Sequence, residues 1–180
     1  MLFYHVISDK PKALGECFRV DEEHPNGVYE RVQAQMETVR DIYANPEKYK
    51  DTELTHSVDV ALRELALEKV RKERYPQYPS RMAALYVSGT CKEAEQWAEY
   101  FAGLGRPTYA VAKIEVDGKV FCGDAYKCFD GGVSEEENLR QAEIYWQNNE
   151  NEDGSPPIVE ILVDGNIRIV EIMKEINANI

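Results

Sequence analysis

Three side chains stand out because packing does not account for them: His5, Tyr86 and Glu160, each inside an apolar run with the two-residue alternation of a strand. Residues two apart in a strand share a face. Glu160 therefore lies with Ile158 and Leu162, while Val159, Ile161 and Val163 fill the opposite face. A carboxylate between apolar neighbours is costly unless it is partnered or opens onto a cleft. His5 sits in the same way with Phe3 and Ile7, opposite Leu2, Tyr4 and Val6. Tyr86 lies between Ala84 and Ser88, with Leu85 and Val87 opposite. Small neighbours leave room above the Tyr86 ring for a flat ligand, and a carboxylate in a poorly solvated cleft can stabilise positive charge that develops on a substrate. Each residue also has a structural alternative: a satisfied core histidine, a tyrosine at a strand end, a glutamate on an edge strand facing water.

The rest of the composition narrows the field. In 180 residues, 21 Lys and Arg face 33 Asp and Glu, a net charge of −12. An acidic surface of this kind repels phosphate backbones, which argues against a nucleic-acid or anionic-membrane binder. No stretch approaches eighteen apolar residues and the N-terminus lacks a charged leader, so a soluble, cytoplasmic protein is expected. Cys17, Cys91, Cys122 and Cys128 stand apart, without zinc spacing, as do His5, His24 and His56. Free buried thiols in a reducing compartment and no metal site are expected. The length suits one domain spanning residues 1–180.

The elements that would position the three residues follow from periodicity and breakers. Strands are expected at Leu2 to Ile7, Glu16 to Val20, Met82 to Ser88, Tyr109 to Val116, Lys119 to Cys122, Ile158 to Val163 and Ile167 to Met173. Asp117-Gly118 and Asp164-Gly165-Asn166 read as hairpin turns. Apolar residues from Val28 to Tyr43 predict one amphipathic helix, and a second begins after Ser57 and ends in Arg71-Lys72-Glu73-Arg74 before a loop with two prolines. Thr90 with Glu93, and Ser134 with Glu137, carry the capping-box pattern. The first opens a helix with Ala94, Trp97, Ala98 and Phe101 on its buried stripe, and the second opens a helix to about Gln147. Asn148 to Pro157 is a polar loop. Strands at both ends and helices in the middle make the class α+β.

The order and context of these pieces resemble the histidine–tyrosine–glutamate branch of the ADP-ribosyltransferase superfamily. The matching segments are Phe3-Tyr4-His5-Val6-Ile7-Ser8, Ala84-Leu85-Tyr86-Val87-Ser88 with Ala94 and Trp97-Ala98 following, and Val159-Glu160-Ile161-Leu162-Val163 leading to Asn166-Ile167-Arg168-Ile169. The chain also resembles, over most of its length, a family of uncharacterised bacterial proteins with the Tyr4-His5-Val6 start, the Asn26-Gly27-Val28-Tyr29 turn, the Pro79-Ser80-Arg81 lead-in and the Val120-Phe121-Cys122-Gly123-Asp124-Ala125 segment. The resemblance implies split antiparallel β-sheets around a cleft, with the helices packed against them. It implies NAD as substrate, with His5 bonding the nicotinamide-side ribose, Tyr86 stacking on nicotinamide and Glu160 stabilising the oxocarbenium-like transition state. Ser88 and Arg81 join His5 and Tyr86 as residues expected to contact NAD.

The arginine-specific branch is disfavoured, because its two diagnostic positions hold His5 and Ile158. A phosphotransferase is disfavoured as well, because Lys10, Lys12, Arg19 and Arg81 form no evident cluster and read as solvated charges. The expected function is transfer of ADP-ribose to an unspecified acceptor, or cleavage of NAD. The alternative is a non-catalytic, acidic interaction protein, immunity- or antitoxin-like, that retains the fold.

Overall fold

The computed structural model describes residues 1–176. Seven strands form two antiparallel sheets. In the first, β1 (Leu2–Ser8) pairs with β4 (Thr108–Asp117), β4 with β7 (Gly165–Glu175), and β7 with β2 (Cys17–Val20). In the second, β6 (Val159–Val163) is flanked by β3 (Leu85–Val87) and β5 (Val120–Asp124). The helices are α1 (Gly27–Gln33), α2 (Met36–Ala44), α3 (Pro46–Tyr49), α4 (His56–Arg74), α5 (Cys91–Gly103) and α6 (Glu135–Gln147). The architecture is α+β, as the distribution of periodicities predicts.

Alternation along the strands builds the layers. Ile7, Ala112, Ile114, Ile167 and Ile169 from the first sheet meet Val87, Ile161 and Val163 from the second in one shared core. The other face of the first sheet carries α5 through Val6, Val111, Ala94 and Ala98. The other face of the second sheet, with Leu162 and Phe121, is covered by Leu67 and Val70 of α4 and Ala142, Tyr145 and Trp146 of α6. Beyond α4, the pair α1 and α2 adds Val32, Val39 and Ile42. Thr90 and Glu93 form the expected reciprocal cap of α5. Ser134 caps α6, but Glu137 turns to Arg140 and Gln141 instead of closing the box.

Neither expected hairpin forms. β4 and β5 are consecutive yet lie in different sheets, and so do β6 and β7. The partners are exchanged: β4 pairs with β7 and β5 with β6, and from Ile114 onward the register carries unchanged through the corner. Val116 faces Ile167 before the corner, and Val120 faces Val163 after it. A single two-stranded ribbon thus runs through both sheets and bends where it crosses. Asp117-Gly118 and Asp164-Gly165 are the two sides of that bend, and they clasp each other. The Lys119 N–H donates to Asp164 Oδ1 at 2.7 Å, and the Asp164 N–H donates to the Lys119 carbonyl at 3.1 Å. Turn-forming residues are equally at home in a tight hairpin and in a corner, and long-range pairing decides between them.

Smaller departures have local causes. The expected helix from Val28 to Tyr43 is broken at Ala34 and Gln35 into α1 and α2. Periodicity identifies the inward face without requiring an unbroken backbone ladder. Met82 and Ala83 leave the expected strand for a 3₁₀ turn over Arg81–Ala83, pinned by the Asn26 side-chain amide, which donates to the carbonyls of Arg81 and Ala84 at 2.7 and 2.8 Å. Trp97 is 49% exposed, because Ala94 and Ala98 make the close contact with the sheet. All four cysteines are free, but Cys17 and Cys122 are exposed.

The clasp leaves no room for side chains at its glycines. A Cβ on Gly118 would stand 2.0 Å from the Asp164 carbonyl oxygen, and Gly165 has φ +91° with a Cβ position 2.3 Å from the Asp117 carbonyl oxygen. Gly118→Ala is expected to lower the unfolding free energy by more than about 2 kcal/mol. Gly27→Ala, at a position open to solvent, is the control; urea denaturation of both variants against the unmodified chain makes the measurement.

Candidate functional site

The two sheets meet edge to edge at a single bridge. The Tyr4 N–H donates to the Ser88 carbonyl at 3.0 Å, and the Ser88 N–H donates to the Tyr4 carbonyl at 2.8 Å. Next along β1, the His5 ring reaches the main chain of β3: its Nδ1 lies 3.1 Å from the Tyr86 carbonyl oxygen. A carbonyl only accepts, so Nδ1 carries the proton and Nε2 presents a lone pair. Burial is the main cause that lowers the His5 pKa from 6.5 to about 4, with Arg106 and Lys12 adding to it and the Tyr86 bond opposing. At neutral pH the imidazole is uncharged, and its outer nitrogen is an acceptor.

Tyr86 and Glu160 occupy the opposite face of the second sheet. Tyr86 pairs with Leu162, whose side chain packs against α4 and α6, and Glu160 lies two residues before Leu162 on that same face. Between them stands Arg81, which is 6% exposed. Its guanidinium lies 5.6 Å from the Tyr86 ring centre and 5.1 Å from that of Tyr145. Arg81 Nη1 donates to Glu160 Oε1 and, at 2.7 Å, to the Tyr145 hydroxyl, which donates in turn to Glu160 Oε1 at 2.6 Å. Arg81 Nε donates to Glu64 Oε2 at 3.0 Å, and Nη2 points at Cys128 Sγ at 3.7 Å. Glu64, 2% exposed, also accepts from Arg63 Nε at 3.0 Å.

Two arginines and two glutamates make a charge-balanced cluster at the foot of the second sheet. Burial opposes charge on Arg81, but Tyr86, Glu64, Tyr145 and Glu160 together hold its pKa well above the ordinary value. Burial also raises the phenol pKa of Tyr145 well above its ordinary value, so it remains a proton donor to Glu160, and burial likewise raises those of Tyr86 and the Cys128 thiol. The Glu160 side chain is 14% exposed.

The three residues singled out in the sequence thus come from the beginning, middle and end of the chain into one neighbourhood, but not onto one wall. His5 touches the Tyr86 main chain, and only Tyr86 and Glu160 share the face that bears Arg81. The expectation that Arg81 is a solvated charge is overturned: four protein groups take its donors. Lys12 and Arg19, by contrast, are surface charges paired with Glu16 and Asp21. Four polar atoms of the site take no protein partner among the described residues: His5 Nε2, Glu160 Oε2 and the hydroxyls of Ser88 and Tyr86. Glu64 and Tyr145 escaped the sequence reading. Glu64 sits on the α4 stripe three residues after Ala61, a charged residue at a core position, and that signal was available. Tyr145, beside Trp146 and three after Ala142, reads simply as core.

Two outcomes are expected. Arg81→Met leaves Glu64 and Glu160 without their shared cation and should cost about 3–5 kcal/mol in denaturant unfolding. Unfolding frees His5 to titrate at 6.5, so the unfolded chain takes the proton first, and stability should fall as pH drops from about 6.5 to about 4. This contribution is at most about 3 kcal/mol. It should be missing from His5→Asn, whose amide can keep the bond to the Tyr86 carbonyl without titrating; chemical denaturation of both proteins across that pH range isolates it.

Comparison with curated proteins finds no match. A family model described as protein of unknown function (DUF2441) matches residues 3–175, from β1 to β7. The chain therefore belongs to the DUF2441 family.

Proposed function

We propose that the chain binds NAD and cleaves its nicotinamide–ribose bond, passing ADP-ribose to an acceptor or to water. Glu160 is the catalytic carboxylate, and His5 and Tyr86 hold the substrate. The observation that carries this reading is the convergence of His5, Tyr86 and Glu160 from three distant strands, with His5 Nε2 and Glu160 Oε2 both left as acceptors open to solvent. Glu160 Oε2, on the face that bears the Tyr86 ring, is an acceptor suited to a ribose hydroxyl, and His5 Nε2 offers a second acceptor from the other side of β3. As the bond between C1 of the ribose and the nicotinamide nitrogen breaks, its electron pair leaves with nicotinamide and positive charge develops on the ribose. A fixed carboxylate stabilises that charge more than it stabilises the ground state. The nucleophile then adds to C1 and gives up its proton. Tyr86, 37% exposed, offers a ring face for stacking.

One observation favours a second reading. Glu160 is already neutralised by Arg81, and the same guanidinium stands over the Tyr86 ring. A cation there weakens the carboxylate's pull on a developing positive charge. On this reading the fold serves as a non-catalytic, acidic interaction module.

The two readings part on a simple measurement. With millimolar NAD, a chain that binds it in the native state must melt at a higher temperature. Chromatography should then detect nicotinamide, and Glu160→Gln should release it at least about a hundredfold more slowly with NAD affinity unchanged. An unchanged melting temperature without nicotinamide release would leave the interaction module standing.

A further inference from the structure

We infer that Tyr145 is a positioning residue for Glu160, turning its carboxylate so that Oε2 alone faces the substrate. This inference rests on the NAD-cleaving reading and adds to it a residue that touches no substrate. Arg81 can only donate, so the Tyr145 hydroxyl must accept from it and spend its single proton on Glu160. Glu160 Oε1 receives both that proton and one from Arg81, whereas Oε2 receives none from the described residues and meets solvent. The two carboxylate oxygens are thereby made unequal.

Rigidity backs the direction. Tyr145 is fully buried on α6 between Phe121 and Trp146, with ring centres at 5.5 and 4.9 Å. Its pKa, raised chiefly by burial, keeps the phenol a donor. Arg81 is fixed from behind by Glu64. Without the phenol hydroxyl, the ion pair with Arg81 would remain, but it would no longer define the torsion of the carboxylate, since one guanidinium nitrogen can serve either oxygen. A misdirected carboxylate costs rate rather than binding, because its contact with the ribose strengthens only as charge develops.

The test uses the full chain as Tyr145→Phe, which removes one oxygen and keeps the ring. Tyr75→Phe serves as a control, since the Tyr75 hydroxyl also donates to a carboxylate of α6, that of Glu143, at 2.6 Å and away from the site. With NAD as the probe, Tyr145→Phe is expected to lower kcat for nicotinamide release at least about tenfold with KM and calorimetric NAD affinity unchanged. Tyr75→Phe should keep the unmodified kcat while its melting temperature falls comparably. If Tyr145→Phe turns over as fast as the unmodified chain while Glu160→Gln is slow, the role of Tyr145 is refuted and the NAD-cleaving reading stands. If Tyr145→Phe raises KM instead, the role is refuted as well. If the unmodified chain releases no nicotinamide, that reading fails and the inference fails with it.

Discussion

The arrangement depends on one buried cation. Arg81 joins a helix of the covering layer, through Glu64, to a strand of the second sheet, through Glu160, and to α6, through Tyr145. A guanidinium moved out of water is tolerable only when its donors are matched by good acceptors, and here two carboxylates, a phenol and a thiol supply them. The same pairing makes the glutamates tolerable, so none of the three charges can be buried alone. This mutual dependence fixes where α4 and α6 sit against β6. It also brings a positive charge to the residue with the strongest claim to chemistry.

Neutral His5 and charged Glu160 solve the same problem by different means. The imidazole is kept without a charge by burial, which asks only a carbonyl partner of it. The carboxylate takes a cation and a phenol as its partners instead. Both leave one acceptor uncommitted, on opposite sides of a three-residue strand. In β3, the main chain of Tyr86 serves the histidine while its ring lies toward the arginine, so this short strand separates the two halves of the site.

The strands that carry His5, Tyr86 and Glu160 were legible because alternation is local and a polar residue inside it is conspicuous. Arg81 was visible as a residue and misread as an environment: nothing between Pro79 and Ala84 announces a turn that drives its side chain inward, and the amide of Asn26, fifty-five residues earlier, holds that turn. Glu64 could have been found as a charge on the inner stripe of α4. Tyr145 could not, since an aromatic on an apolar helix face is the commonest of core residues. The two hairpins failed for a different reason. Turn chemistry reports that the chain reverses or bends, and only the pairing of β4 with β7 and β5 with β6 tells which.

That exchange of partners reaches beyond topology. In a ribbon that keeps its register through a bend, the side on which any residue emerges is a matter of phase, counted from the clasp at Lys119 and Asp164. Glu160 stands four positions before Asp164, an even count, and so comes out beside Leu162 toward α4 and α6. An odd count would turn it into the apolar layer between the sheets, among Val87 and Ile161, and would put Val159 or Ile161 where Arg81 waits. Two glycines too crowded to accept a methyl group therefore set the orientation of a carboxylate they never touch.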